Sequence, residues 1–255
     1  MSLTSVDNKL YHIPKNTRVY AIGDIHGHYD ALARMHIAID KHLNKSPIEK
    51  AIIVYLGDYI DRGPESAKVL ARMCEMPEEE EGIERVFIKG NHELAFLGFM
   101  KDPKSYGKNW MKYGGVQTIE SYGVTVPNKE VLLPAEIEKI AQELSAAVPE
   151  HHKEFCINTR LKFLCGDYLF VHAGIRPKVD LSEQTPQDLV FIRHEFLEYD
   201  KPHDKFVVHG HTITEDPDIR NNRIGLDTGY WKHGVLTAGV FEGSTIDFLQ
   251  VKRDA

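Results

Sequence analysis

The stretch Ile52-Ile53-Val54-Tyr55-Leu56-Gly57-Asp58 shows the pattern that decides the fold of this chain. An apolar run with the composition of a buried strand passes directly into a glycine and a carboxylate. Four other segments repeat the pattern: Arg18–Ile22 into Gly23–Gly27, Val86–Ile88 into Gly90–Glu93, Tyr168–Val171 into His172–Gly174, and Phe206–Val208 into His209–His211. In α/β folds, the polar groups that do chemistry collect where adjacent strands end. The pattern therefore predicts an α/β fold with a polar site at the strand ends.

The composition fits one globular domain and argues against several kinds of partner. With 255 residues, of which 42% are hydrophobic and 27% charged, we expect a single domain spanning 1–255. The net charge of −7 gives no electrostatic basis for binding nucleic acid. The three cysteines form no CxxC motif, which is typical of reduced thiols. Because Met1–Lys15 lacks an apolar core and no run approaches the ~18 apolar residues of a membrane span, we expect a cytoplasmic protein without a membrane partner.

Helical patterns separate the predicted strands. Gly27–Lys41 is predicted to be a helix with Asp30 as its N-cap, and Ser66–Met76 is a second helix. A third helix begins at Thr185 in the manner of a capping box. Its apolar residues lie on one face: Leu189, Ile192 and Phe196. Residues 103–158 are predicted to be a mostly helical excursion near the site, because this stretch is too short for a core of its own.

Six side chains at the strand ends make a ligand set for divalent cations. They are Asp24, His26, Asp58, Asn91, His172 and His211. Asp24 and His26 are two positions apart, and side chains at i and i+2 of an extended chain point the same way, so both can reach one ion. Asp58 can bridge that ion to a second, which the remaining three complete. These nitrogen and oxygen ligands suit Mn, Fe or Zn. Each residue alone could be a turn cap or a surface side chain, but their joint occurrence indicates a two-metal hydrolase.

Five motifs then carry a resemblance. They are Gly23-Asp24-Ile25-His26-Gly27, Gly57-Asp58-Tyr59-Ile60-Asp61-Arg62-Gly63, Gly90-Asn91-His92-Glu93, His172-Ala173-Gly174 and Gly210-His211. Their order and spacing resemble the phosphoprotein phosphatase (PPP) family of calcineurin-like metallophosphoesterases, over most of the chain. Further segments are similar to the bacterial branch, which includes small serine/threonine phosphatases and dinucleoside tetraphosphatases: Trp110, Gly114-Gly115, Ser121-Tyr122-Gly123, Phe191-Ile192-Arg193 and Asp227-Thr228-Gly229.

The resemblance implies a four-layered α/β/β/α sandwich, in which two mixed sheets are flanked by helices. It implies two divalent ions, manganese first and iron or zinc as alternatives. The first ion would be held by Asp24, His26 and Asp58, and the second by Asp58, Asn91, His172 and His211. By the same resemblance, His92 would protonate the leaving oxygen and Asp61 would orient His92. Arg62 and Arg193 would grip the phosphoryl oxygens with planar guanidinium groups.

The resemblance leaves the substrate open. The reading it favours is a serine/threonine protein phosphatase that works by in-line attack of a metal-bridging hydroxide on a phosphomonoester. The alternative is a dinucleoside polyphosphate hydrolase, and a remote one is a non-catalytic phosphate-binding module. The expected partner is accordingly a phosphoprotein or a phosphorylated small molecule, with the oligomeric state unknown. His209 is interpreted as lying near the site without binding a metal.

Overall fold

The computed structural model describes residues 6–7, 10–127 and 133–254. The strands are β1 Val6–Asp7, β2 Thr17–Ile22, β3 Lys50–Tyr55, β4 Glu79–Glu80, β5 Ile83–Phe87, β6 Lys162–Cys165, β7 Tyr168–Val171, β8 Phe206–His209, β9 Asp218–Ile219, β10 Arg223–Gly225, β11 Val235–Glu242 and β12 Thr245–Lys252. The helices are α1 Tyr29–Lys45, α2 Ser66–Glu75, α3 Asn91–Lys101, α4 Pro103–Trp110, α5 Val116–Ser121, α6 Pro134–Ala147, α7 Glu150–Asn158, α8 Pro186–Phe191, α9 His194–Leu197 and α10 Tyr230–His233.

The strands form two mixed sheets. The larger has seven strands in the order β1-β12-β11-β2-β3-β5-β4, and the smaller has five in the order β6-β7-β8-β10-β9. Each sheet has a parallel centre, β2-β3-β5 in the larger and β7-β8-β10 in the smaller, with antiparallel strands at its edges. Since parallel strands point the same way, the carboxyl ends of each centre lie on one edge.

Three apolar clusters hold four layers together. Alternate residues of β2 point to opposite faces, so Val19 and Ala21 pack between the sheets, whereas Tyr20 and Ile22 pack under the helices. The inner cluster joins both sheets, because Val54 of β3 in the larger sheet shares it with strand residues of the smaller sheet, such as Phe170 and Val208. The outer clusters bury α1 to α7 against the first sheet and α8 and α9 against the second. The predicted α/β/β/α fold class is thereby confirmed.

Two predicted helices differ in detail from the structure. Helix α1 begins at Tyr29 with His28 as its N-cap, so the prediction of Asp30 as the cap is wrong. Asp30 lies within the first turn and pairs with Arg34 at 2.9 Å instead. The third predicted helix is broken: α8 ends at Phe191, because Ile192 takes an extended conformation (φ −57°, ψ 142°). A separate short helix, α9, follows.

The segment 103–158 runs through α4, α5, α6 and α7, and its residues 128–132 lie outside the described part of the chain. Between α4 and α5, Gly114 adopts φ +112° and turns the chain back towards the strand ends. Within the described residues, no helix has the length and apolar character needed to cross a bilayer. The division into domains and the cytoplasmic location remain predictions.

Candidate active site

The ends of the parallel strands bring the predicted ligands together. The loops after β2, β3 and β5 carry Asp24 to Asn91, and the loops after β7 and β8 carry the two later histidines. Two groups of ligand atoms form there, each with its atoms within 4.8 Å of one another: His26, Asp58 and His92, and Asp58, His172 and His211. Asp58 belongs to both groups. A bridging carboxylate needs such a shared position, and the bridging role of Asp58 stays a prediction.

The backbone at these strand ends is bent sharply. Non-glycine residues with positive φ are uncommon, because the left-handed region crowds Cβ, and each costs of order 1–3 kcal/mol. Five of the described cases lie at the site: His26 (48°), Asp58 (50°), Asp61 (73°), Arg62 (67°) and His211 (63°). Strain concentrated at one site is tolerated where the surrounding structure fixes it, and it aims these side chains inward.

The first group is organised around His26 and Asp58. His26 Nδ1–H donates to the carbonyl of Ile60 at 2.9 Å, which leaves Nε2 as a lone-pair donor 3.7 Å from Asp58 Oδ2. Asp24 is also buried, and its carboxylate accepts the backbone N–H of His211 at 3.1 and 3.2 Å. A Cβ on Gly210 would lie 2.1 Å from Asp24 Oδ1, so only glycine fits between them.

The second group shows directly why a cation fits. His172 Nδ1–H donates to the carbonyl of Leu56 at 2.7 Å, so His172 Nε2 carries a lone pair. That nitrogen faces Asn91 Oδ1 at 3.0 Å, His211 Nδ1 at 3.2 Å and Asp58 Oδ1 at 3.4 Å. His172 Nε2 and the oxygens of Asn91 and Asp58 that face it are acceptors, and acceptors in a buried space repel one another unless a positive ion lies between them.

The charge states also suit metal binding. Burial and then His172 lower the pKa of His211 to about 2, so the ring is neutral, which is the form that coordinates a cation. Burial opposes ionisation of Asp58, but His172, His92 and His26 around it hold its pKa well below its usual range. Burial and then the carboxylates of Asp227 and Asp58 raise the pKa of Asp24 well above normal. Divalent cations would offset this crowding of carboxylates.

His92 and Asp61 form a buried pair beside the shared ligand. His92 Nδ1 lies 2.5 Å from Asp61 Oδ2, and His92 Nε2 faces Asp58 Oδ2 at 3.7 Å. Asp61 is itself fixed, because Trp110 Nε1–H donates to Oδ2 at 2.7 Å and the Thr118 hydroxyl donates to Oδ1 at 2.6 Å. Burial alone would lower the pKa of His92, but the charges of Asp58 and Asp61 outweigh it and raise the pKa to about 9. His92 is therefore protonated at neutral pH.

The two arginines have different neighbours: Arg62 lies against Trp231, and Arg193 lies at Thr212. Arg62 is half-buried. Burial and neighbouring carboxylates raise the pKa of Asp24, and the positive charge of Arg62 lowers that pKa in part. Arg193 is exposed at the break between α8 and α9, and its Nη1–H donates to Thr212 Oγ1 at 3.2 Å, next to His211. Arg193 thus lies between the two helices, as the N-cap of α9, where its side chain contacts Thr212.

His209 lies apart from both ligand groups. Its Nδ1–H donates to the carbonyl of Gly210 at 3.0 Å, and its ring packs edge-on against Phe196 at 5.1 Å between centroids. A Cβ on Gly225 would lie 3.1 Å from the ring, which closes the other side. This placement agrees with the interpretation that His209 lines the region without binding a metal.

Two buried carboxylates belong to motifs found in the sequence but had no predicted role: Glu93 and Asp227. Glu93 accepts the backbone N–H groups of Asp58, Tyr59 and Gly90 at 3.0, 2.8 and 2.9 Å, and so fixes the loop that carries the shared ligand. Asp227 is buried beside Asp24, and one of its oxygens has no hydrogen-bond partner among the described residues.

Asp227 did have a signal in the sequence. It follows the short strand β10, the third parallel strand of the smaller sheet, in the same strand-then-carboxylate pattern as Asp58. The strand has three residues, which is too short a run for an apolar pattern to predict it. Burial, with a contribution from Asp58, raises the pKa of Asp227 to about 6.

Comparison with known proteins agrees with this geometry. The sequence profile of the calcineurin-like phosphoesterase family matches residues 17–234. The chain therefore belongs to the calcineurin-like phosphoesterase family, and it is a metal-dependent phosphoric ester hydrolase, as the motifs predicted.

Its curated relatives are named bis(5′-nucleosyl)-tetraphosphatases. The chain is 26% identical to the asymmetrical bis(5′-nucleosyl)-tetraphosphatase PrpE of Geobacillus sp. (strain WCH70), over 87% of this chain and 89% of that protein. It is 29% identical to the symmetrical bis(5′-nucleosyl)-tetraphosphatase of Legionella pneumophila subsp. pneumophila (strain Philadelphia 1), over 82% and 61%. Among solved structures, a provisionally assigned diadenosine tetraphosphatase superposes with a TM-score of 0.60 at 19% identity, covering 95% of this chain and 98% of that one.

Proposed function

We propose that this chain hydrolyses the phosphoanhydride chain of dinucleoside polyphosphates, such as diadenosine tetraphosphate. The observation that carries the proposal is the position of Asp58, which belongs to both ligand groups and lies beside the protonated His92. Two cations bound to these groups would polarise the phosphoryl group and activate a water between them.

The metal ligands in this proposal are those the sequence indicated. Asp24, His26 and Asp58 hold the first ion, and Asp58, Asn91, His172 and His211 hold the second. The lone pairs that converge at His172 Nε2 and the neutral imidazole of His211 support the assignment. Manganese is the expected metal, with iron or zinc as alternatives, because the donors are nitrogen and oxygen atoms.

The remaining residues handle the proton and the phosphate charge. His92 donates the proton on Nε2 to the leaving oxygen, because Nδ1 is held by the buried Asp61 and only Nε2 faces the ligands. Arg62 and Arg193 donate to the phosphoryl oxygens. Glu93 and Trp110 are positioning residues: Glu93 fixes the loop that carries Asp58, and Trp110 fixes the carboxylate of Asp61.

The relatives favour the dinucleotide over a phosphoprotein. Sequence reasoning placed a serine/threonine phosphatase first and a dinucleoside polyphosphate hydrolase second, yet the curated relatives carry tetraphosphatase names. A phosphoanhydride chain presents several charged phosphoryl groups in a row, which suits a site with two arginines.

A side-by-side turnover assay tests the proposal. The manganese-loaded protein is given diadenosine tetraphosphate and a phosphoserine peptide at matched concentrations, and products are separated by ion-exchange chromatography. We expect a kcat/KM at least ~10-fold higher for the dinucleotide, a difference of about 1.4 kcal/mol in transition-state binding. An Asp58→Asn protein purified in parallel controls for contaminating hydrolases. A higher kcat/KM for the phosphopeptide would contradict the proposed substrate.

A further inference from the structure

Trp231 is an exposed indole at the edge of the site. The chain has two tryptophans. Trp110 is 2% exposed and donates a hydrogen bond to Asp61. Trp231 is 37% exposed and lies on the short helix α10. The guanidinium carbon of Arg62 lies 4.4 Å from the centre of the Trp231 ring. Large aromatic rings are normally buried on folding, so a ring held at the surface beside a charged site is a candidate for ligand contact.

Arg62 connects this ring to the ligand cluster. Arg62 directly follows Asp61, which holds His92. The next N–H, that of Gly63, donates to the carbonyl of His26 at 3.0 Å. The residue whose guanidinium lies on the indole of Trp231 is therefore part of the loop that lines the ligand cluster. A group attached to a phosphate that Arg62 binds would emerge next to the exposed part of the ring.

The loop around Gly114, which contacts Arg62, also carries an exposed aromatic ring and a cation. The backbone N–H of Arg62 donates to the carbonyl of Gly114 at 3.1 Å, and a Cβ on Gly114 would lie 2.7 Å from Arg62 Cγ. Tyr113, the residue before Gly114, is 58% exposed, and Lys112 Nζ lies 5.7 Å from its ring centre. Aromatic rings interleaved with cations are typical of surfaces that bind nucleotides.

We propose that Trp231 forms a nucleobase subsite, where the indole stacks on one base of the dinucleotide while Arg62 binds the adjoining phosphate. This inference rests on the proposed function and adds the group that recognises the nucleoside. Every base presents a π-face, so the subsite accepts different bases without reading their edges. A phosphoserine or phosphothreonine side chain carries no planar ring that could stack on the indole.

The test compares two substrates with the same phosphate chain. Diadenosine tetraphosphate carries two nucleosides, and inorganic tetrapolyphosphate carries none. For Trp231→Ala we expect the KM for the dinucleotide to rise roughly 5- to 150-fold, the range of base stacking on an aromatic side chain, with a smaller change in kcat. On tetrapolyphosphate, which carries no base, the rise in KM should be smaller by the same factor. Trp231→Phe keeps a stacking face and should recover most of the KM.

Two further measurements separate stacking from indirect effects. Tyr106→Ala is the matched control, because Tyr106 is 43% exposed but packs on Gly98 in α3, away from the strand ends; its KM should equal that of the parent. Binding is followed independently by tryptophan fluorescence with adenosine 5′-(α,β-methylene)diphosphate, which should quench the parent and leave Trp231→Phe nearly unchanged.

The outcomes are distinct for the two proposals. Equal losses on both substrates for Trp231→Ala would show that the indole only supports Arg62, and would overturn the nucleobase subsite. An unchanged KM would overturn it as well. If the parent fails to turn over the dinucleotide yet the nucleotide analogue still quenches Trp231, the subsite stands and the proposed function falls.

Discussion

Replacing His92 with asparagine gives the most informative test of the chemistry at this site. The imidazole is fixed by Asp61 at 2.5 Å on Nδ1, and Nε2 faces the shared ligand Asp58 at 3.7 Å. A general acid in this position contributes about 10²–10⁴ in rate, which is roughly 3–5 kcal/mol of barrier. We expect His92→Asn to lose that factor in kcat on an alkyl phosphate such as a phosphoserine peptide, whose strongly basic alkoxide leaving group needs a proton.

The assay uses the leaving group to identify the role of His92. p-Nitrophenolate departs with little protonation, so the loss on p-nitrophenyl phosphate should be much smaller than on the alkyl phosphate. Metal content measured by elemental analysis should match that of the parent. Asp61→Asn is the companion variant, because it removes the carboxylate that orients His92 and helps to raise its pKa to about 9; it should show the same dependence on the leaving group. Equal losses with both leaving groups would refute the acid role.

Three further predictions concern the surroundings of the cluster. Arg62→Ala and Arg193→Ala should each weaken vanadate binding by roughly 1.5–3 kcal/mol at unchanged metal content; calorimetric titration checks this, and parent-like binding in Arg193→Ala would remove that residue from the site. His211→Ala should lose second-site metal and activity, whereas His209→Ala should keep its metal content; a His209 variant with one metal per chain would reverse the assignment. Burial, with Arg72 and Arg85 nearby, lowers the pKa of His36 to about 4, so the unfolded chain takes up this proton first as pH falls. Stability should therefore decline between about pH 6.5 and 4, and less so in His36→Gln, as melting curves would show.

The strand ends were predictable because their pattern is local. An apolar run followed at once by Gly-Asp or by a histidine specifies both a buried strand and the place where its ligand appears. The parallel centres of the two sheets then bring those places together. Asp24, His26 and Asp58 all lie in loops at the strand ends, and Asp58 belongs to both described ligand groups. Their roles stay predictions.

Other features depend on contacts that no local pattern encodes. Glu93 serves the site by accepting N–H groups from a loop 34 and 35 residues away. The break at Ile192 separates α8 from α9 although Leu189 and Phe196 share one apolar cluster, as the helical spacing suggested. Spacing on one face thus found the core residues but could not reveal the change in backbone direction that brings Arg193 to Thr212.

Metal stoichiometry of Asp58→Asn tests the central claim most directly. Asp58 is the one member that the two described ligand groups share, and a neutral amide bridges two cations poorly. The parent, equilibrated with Mn²⁺ and freed of excess ion, should carry about two ions per chain by elemental analysis, the number a bridged pair requires. The variant should lose most of them while keeping its fold by circular dichroism. An Asp58→Asn protein that retains the metal content of the parent would contradict a bridged two-metal site.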